Sequence, residues 1–190
     1  MAHYIASDPQ VMVRGNTIAS VVVAMDAYSG IAHRILARHG LRRVVPGHWY
    51  PMQSLLDVYK AVGEEVGEHT LLAVGKQVPQ CAKWPQNISN IEEAMASIDV
   101  AYHMNHSIEG KLLFDSRTGA MQEGIGHYRC TRMGKRQIVM VCDTPYPSEI
   151  DRGIMLGIAR VWKPLAQVVL DETQPSRKQG ANACTYLVKW

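Results

Sequence analysis

The spacing of apolar residues predicts that the first 106 positions are mainly helical. Apolar side chains recur there every three or four residues, which is typical of helices with one buried face. The predicted helices cover residues 17–40, 52–63, 68–78 and 89–106. Gly40 suits the end of the first helix, and Pro51 suits the start of the second. A short apolar run at Val11–Val13 predicts a strand before them.

From residue 126 onward the pattern changes to one that is typical of strands. Alternating or continuous apolar runs predict strands at His127–Arg132, Gln137–Asp143, Ala166–Leu170 and Cys184–Trp190. A helix capped by Ser148 and ended by Lys163-Pro164 separates the second strand from the third. Shorter strand-like pieces at 111–115 and 121–124 come first. The predicted class is therefore α+β, an N-terminal helical half packed on a C-terminal antiparallel sheet of β-β-α-β-β order.

No linker or internal repeat separates these two halves. We expect a single ligand-binding domain over residues 1–190, with 1–108 mainly helical and 109–190 carrying the sheet.

The helix predicted over 89–106 is the most informative part of the chain. Ser89 suits its N-cap, and Glu92 follows at the spacing of a capping box. At 100° per residue one apolar stripe ends beside His106, and His103 lies one turn earlier. Histidines three apart on a helix can face one site, and buried imidazoles bind iron and other transition metals. Two interpretations stay open, a ligand-binding helix and a core helix with two hydrogen-bonded histidines.

Composition narrows the range of functions. Apolar residues make up 47% and charged residues 19% of the chain, which favours a folded core over disorder. The net charge of +3, without a basic cluster, argues against nucleic acid as a partner. The four cysteines have no zinc-binding spacing, and neither a secretory leader nor an apolar run of eighteen residues is seen. We therefore expect a cytoplasmic protein with no membrane span and with reduced thiols.

The turn after the second predicted strand carries a candidate anion site. Tyr146, Ser148 and Arg152 lie there beside a helix N-terminus, where backbone N–H groups favour anions. The alternative is local capping with a surface pair between Asp151 and Arg152. His127 and Tyr128 begin the first strand, so one of them faces inward.

The order of elements resembles the superfamily of H-NOX domains, which bind haem, and four-vinyl-reductase-type domains, which bind small molecules. Tyr146-Pro147-Ser148-Glu149-Ile150-Asp151-Arg152 is similar to the Tyr-x-Ser-x-Arg motif of H-NOX, with the arginine two residues later. Ile98 to His103 is similar to its Leu-Asp-x-x-His run, displaced by one. Gly180 to Val188 resembles the Gly-x-x-x-Cys-x-x-x-Val strand of the second group.

This resemblance implies a sensor or carrier with an apolar pocket between the helices and the sheet. It implies a planar or hydrophobic ligand, with haem as the candidate cofactor and a separate effector protein as the partner. His106 or His103 would be the metal ligand, and the other implied cofactor-binding residues are Tyr102, His127, Tyr146, Ser148 and Arg152. Three alternatives stay open: an enzyme acting on a tetrapyrrole or aromatic substrate through histidine acid–base groups, a metal site without haem, and an assembly subunit. A homodimer is also considered.

Overall fold

The computed structural model of the chain describes residues 3–190. Its six α-helices are α1 (Gly15–Ala24), α2 (Ser29–Arg38), α3 (Met52–Glu65), α4 (Glu68–Cys81), α5 (Ile91–Met104) and α6 (Ser148–Trp162). Its eight strands are β1 (Val11–Arg14), β2 (Trp49–Pro51), β3 (His106–Ile108), β4 (Lys111–Leu112), β5 (Tyr128–Gly134), β6 (Gln137–Cys142), β7 (Gln167–Leu170) and β8 (Cys184–Lys189).

The strands form two antiparallel sheets of four strands each. The C-terminal sheet has the order β5-β6-β8-β7, and α6 connects β6 to β7. This confirms the predicted α+β class and the β-β-α-β-β order. The buried apolar side chains of the helices and of this sheet belong to one continuous cluster.

The N-terminal half carries a second sheet that the apolar pattern did not predict. Its order is β2-β1-β3-β4, and β1 lies between β2 and β3. The outer strands are two or three residues long, which is too short for a period-2 pattern to be recognised. The register pairs Val13 with His106, so this sheet fixes the position of that histidine.

The helix predicted over residues 17–40 is in fact two helices. α1 ends at Ala24, a 3₁₀ turn covers Asp26–Tyr28, and α2 begins at Ser29. Met25 leaves helical geometry with φ −106° and ψ 24°. The run from Asp26 through Gly30 contains aspartate, serine and glycine, which are weak helix formers, so the break has a local cause.

Helices α4 and α6 pack with their backbones in contact through glycines. A Cβ atom added at Gly153 would lie 2.5 Å from the carbonyl oxygen of Leu72 and 2.8 Å from the Cα of Gly75. Because both nearby atoms belong to the backbone, they cannot move aside as a side chain would. This close contact positions α6, and therefore the residues just before it, against the helical half.

We expect Gly153→Ala to lower the free energy of unfolding by about 1–3 kcal/mol, because the added methyl group overpacks the contact between α4 and α6. Gly30→Ala in α2 is the matched control, since no atom lies within 4 Å of its added Cβ. The control should raise stability slightly, because alanine favours the helix more than glycine does. Urea unfolding of both variants tests this, and equal stabilities would contradict the packing argument.

No helix of the described residues has both the length and the apolar character needed to cross a bilayer. All four cysteines are free, and Cys142 and Cys184 are buried.

Candidate functional site: a buried histidine in an aromatic cluster

Helix α5 carries His103 in its last turn and is followed closely by His106, and both its capping and its end differ from the prediction. Asn90 is the N-cap, and its side chain accepts a hydrogen bond from the Glu93 backbone N–H at 2.8 Å. Ser89 lies one position earlier and donates its hydroxyl to the Glu93 carboxylate. The helix ends at Met104, so His106 is the first residue of β3 and not the last of the helix. The Asn105 side chain holds this turn by donating to the carbonyls of Ala101 and Lys83.

His106 is buried and hydrogen-bonded at both ring nitrogens. Its exposed fraction is 1%, and Nδ1 lies 2.6 Å from the carbonyl oxygen of Tyr102. Because a carbonyl only accepts, Nδ1 carries the proton, and Nε2 accepts from the Tyr146 hydroxyl at 3.0 Å. Burial lowers the pKa of His106 to about 4, more than the Tyr102 carbonyl raises it. The imidazole is therefore neutral near pH 7, with its lone pair on Nε2.

Tyrosines surround this imidazole and form what we term the aromatic cluster, consisting of Tyr59, Tyr102, His106, Tyr128 and Tyr146. The Tyr102 ring lies 4.5 Å from the His106 ring, and it meets Tyr128 and Tyr146 edge-on at 5.4 and 5.6 Å. Tyr59 meets Tyr146 edge-on at 5.6 Å. All four tyrosines are buried. The cluster joins α3, α5, β3, β5 and the segment before α6.

A small cavity of about 20 Å³ adjoins the cluster at His106. Its lining also includes Thr17 from α1 and Ile154 from α6. The Thr17 Oγ1 atom is buried without a hydrogen-bond partner. A volume of this size holds about one water molecule and not a large ligand.

His103 points to a different group of residues from His106. Its Nδ1 lies 2.8 Å from the carbonyl oxygen of Asp99, and its ring lies 5.0 Å from the His127 ring. The His127 Nδ1 is 3.0 Å from the Asp99 carboxylate, and its Nε2 is 2.7 Å from that of Glu123. Burial lowers the pKa of His127, but these two carboxylates outweigh burial and raise it overall.

The predicted anion site before α6 is arranged differently from the prediction. Ser148 is the first residue of α6 and makes no capping hydrogen bond, since Pro147 is the N-cap. Its Oγ lies 3.3 Å from the Cys184 Sγ. Arg152 donates to the Val168 carbonyl and to the Glu149 carboxylate at the surface. Tyr146 lines the cavity at His106, whereas Ser148 and Arg152 line a surface cleft on the other side of the turn.

The buried charge in this region belongs to Asp151 and Arg177, a pair that the sequence analysis missed. The Arg177 Nη1 lies 2.8 Å from the Asp151 carboxylate, and both side chains are at most 1% exposed. Arg177 also donates to the carbonyls of Cys142 and Thr144. Burial raises the pKa of Asp151, while the guanidinium and the Tyr128 hydroxyl, at 2.6 Å, oppose that change.

One signal for this pair was available in the sequence. Asp151 shares the buried stripe of α6 with Met155 and Ile158, at i+4 and i+7, and a carboxylate on such a stripe needs a cation. Arg177 opens a 3₁₀ turn held by a capping box of Ser176 and Gln179. Nothing in the local sequence shows that this loop folds back on α6.

These features define a mixed α+β domain with a neutral, buried imidazole at the centre of its core. No protein-family model matches the chain, and no curated protein has a significantly similar sequence. Solved structures of H-NOX proteins do share its fold. An H-NOX protein from S. oneidensis in the Fe(II)NO ligation state matches with a TM-score of 0.61 at 13% identity, covering 93% of this chain and 98% of the other.

Two further solved structures give the same result. The I5F mutant of T. Tengcongensis H-NOX matches with a TM-score of 0.60 at 15% identity, covering 93% and 96% of the two chains. A structure from work on haem distortion in the H-NOX family matches with a TM-score of 0.61 at 14% identity, covering 93% and 94%. The chain therefore has the H-NOX fold, which confirms the resemblance seen in its order of elements.

Proposed function

We propose that the chain is a small-molecule sensor domain whose ligand binds at His106. The observation that carries the proposal is the buried, neutral imidazole whose Nε2 lone pair meets only one hydroxyl group, that of Tyr146. The H-NOX fold supports it, because solved proteins with this fold are described by the ligation state of their iron. His106 lies at the junction of α5, the N-terminal sheet and the segment before α6, so a ligand there contacts both halves of the fold.

Haem is the first candidate ligand, and the donor atom at His106 fits it. Nδ1 donates to a backbone carbonyl, which fixes the tautomer with the lone pair on Nε2, where a metal would replace the Tyr146 hydroxyl. The cavity is too small for haem in this conformation. Ligand pockets commonly reach about 300–1,000 Å³, and the cavity at His106 is about 20 Å³. The aromatic cluster therefore has to open before a tetrapyrrole fits. Bound haem would supply the iron on which diatomic gases bind.

Titration of the purified chain with haemin tests this proposal. We expect a Soret shift that saturates at one haemin per chain, and we expect His106→Ala to weaken binding by at least ~10-fold, because it removes the donor. Tyr146→Phe should strengthen binding by ~2–10-fold, because it removes the hydrogen bond that competes for Nε2. The exposed His48 provides the control His48→Ala, which should bind haemin as the unmodified chain does.

A spectrum that does not change on adding haemin contradicts the haem form of the proposal. A shift that persists unchanged in His106→Ala contradicts the role of His106. Circular dichroism of each variant separates loss of binding from loss of fold.

The alternative of an enzyme using His103, His106 or His127 as an acid–base group stays a prediction. His103 and His106 are at most 1% exposed, so of these three only the partly exposed His127 is open to a substrate in this conformation. The single domain over 1–190, the cytoplasmic location, the separate effector protein and the homodimer stay predictions.

A further inference from the structure

A second group of metal-ligating side chains lies apart from His106, where α5 meets the start of β5. Asp99 and His103 are one turn apart on α5, and His127 comes immediately before β5. One ring nitrogen from each histidine and one carboxylate oxygen of Asp99 all lie within 4.8 Å of one another. The cluster therefore brings together two nitrogen donors and one oxygen donor.

The His103 imidazole has a buried nitrogen without a partner. Its Nδ1 donates to the carbonyl oxygen of Asp99, so Nε2 carries the lone pair. The side chain is 0% exposed, and Nε2 has no hydrogen-bond partner. A buried polar atom left unpaired is unfavourable and rare. A histidine that donates from one nitrogen to a carbonyl and keeps the other free has the arrangement found in metal ligands.

Hydrogen bonds from neighbouring groups also hold the His127 and Asp99 side chains in place. Glu123 lies 2.7 Å from the His127 Nε2, so it can accept the proton there and leave Nδ1 to face Asp99. The Tyr128 backbone N–H donates to the second Asp99 oxygen at 2.9 Å, which fixes the plane of the carboxylate. Carboxylates and carbonyls in this outer position orient metal-binding histidines and raise their basicity.

We propose that Asp99, His103 and His127 bind one divalent transition-metal ion of the zinc type. Two imidazoles and a carboxylate suit such an ion, and three protein ligands leave a fourth tetrahedral position for water. Ligand atoms around a tetrahedral zinc ion lie about 3.4 Å apart, whereas the three groups here lie within 4.8 Å of one another, so the side chains rotate as they close on the ion. The Asp99 and His127 side chains are 19% and 15% exposed, so the ion reaches the site from solvent.

Two carboxylates make the surroundings of this site negative. Asp99 and Glu123 face the pair of imidazoles, and a divalent cation balances their two negative charges. The Arg129 guanidinium is paired with Asp143, and Asp99 and Glu123 lie near enough to contribute to the raised pKa of Arg129. The site thus offers a negative, partly enclosed position beside two imidazoles, one of which has a buried Nε2 without a hydrogen-bond partner.

Cobalt and zinc titrations of the full-length, metal-stripped chain test this site. We expect one Co²⁺ per chain, with the visible bands of four-coordinate cobalt and without the near-ultraviolet thiolate bands that binding to cysteine would produce. His127→Asn and His103→Asn should weaken zinc binding by ~100-fold or more in calorimetry, because each removes a ligand. His48→Ala, at an exposed histidine, should bind zinc as the unmodified chain does.

His103 is fully buried, so its variant is first checked by circular dichroism, and the partly exposed His127 provides the second variant. Zinc binding that is absent, or that is unchanged in His127→Asn, overturns the proposal, as do thiolate bands in the cobalt spectrum. His106→Ala should keep the zinc site while losing haemin binding. The failure of one proposal is therefore distinguishable from the failure of the other.

Discussion

Replacing Arg177 with methionine is expected to lower the free energy of unfolding by about 3–5 kcal/mol. The guanidinium lies 2.8 Å from the Asp151 carboxylate, and both side chains are at most 1% exposed. Methionine fills similar space but leaves a buried carboxylate without its cation. It also removes the donors that satisfy the carbonyls of Cys142 and Thr144, which hold β6 and the following turn in place.

Urea unfolding measures this loss, and Arg152→Met is the matched control. Arg152 pairs with Glu149 near the surface, where an ion pair contributes about 0–1 kcal/mol. The double variant Asp151→Leu/Arg177→Met should recover part of the lost stability, because it removes both charges together. An Arg177→Met variant no less stable than Arg152→Met, or a double variant less stable than both single ones, would contradict a stabilising role of the buried ion pair.

The second half of the fold could be predicted because its patterns are long and regular. Helix α6 spans Ser148–Trp162 as predicted, with apolar residues on one stripe and Lys163-Pro164 at its end. Strands β6 and β8 also lie within their predicted ranges. The N-terminal sheet could not be predicted, because its outer strands are very short and exist only through pairing, β2 with the distant β1 and β4 with β3.

The candidate site could be predicted only in part, because the end of α5 and the short strand β3 were not predicted. The sequence singled out His106 and Tyr146, and the structure joins them by a hydrogen bond. The sequence also suggested that His103 and His106 face one site, because they are three residues apart. The helix ends between them, however, and the chain turns into β3. His103 therefore stays on the helix and faces Asp99, while His106 is carried into the core by the strand.

Acidification is expected to destabilise the chain by about 3 kcal/mol through His106 alone. The pKa of His106 is lowered from 6.5 to about 4 in the folded state, mainly by burial. Between these two pH values the unfolded chain binds a proton that the folded chain does not, so stability falls as pH falls. Above about pH 6.5 the residue is neutral in both states and contributes no pH dependence. Each pKa unit corresponds to about 1.4 kcal/mol, which gives the expected size.

Unfolding free energies at several pH values between 7 and 4, measured for the chain and for His106→Asn, test this expectation. The variant should lose less stability on acidification, because asparagine does not titrate. His3 also has a pKa lowered to about 4 by burial. Because His3 is present in both proteins, the difference between their two pH profiles isolates the contribution of His106. Parallel pH profiles would mean that His106 takes up its proton in the folded state. The folded-state pKa of His106 would then lie near its ordinary 6.5, which would contradict the effect of burial, while Nε2 would still carry a lone pair in most molecules at pH 7.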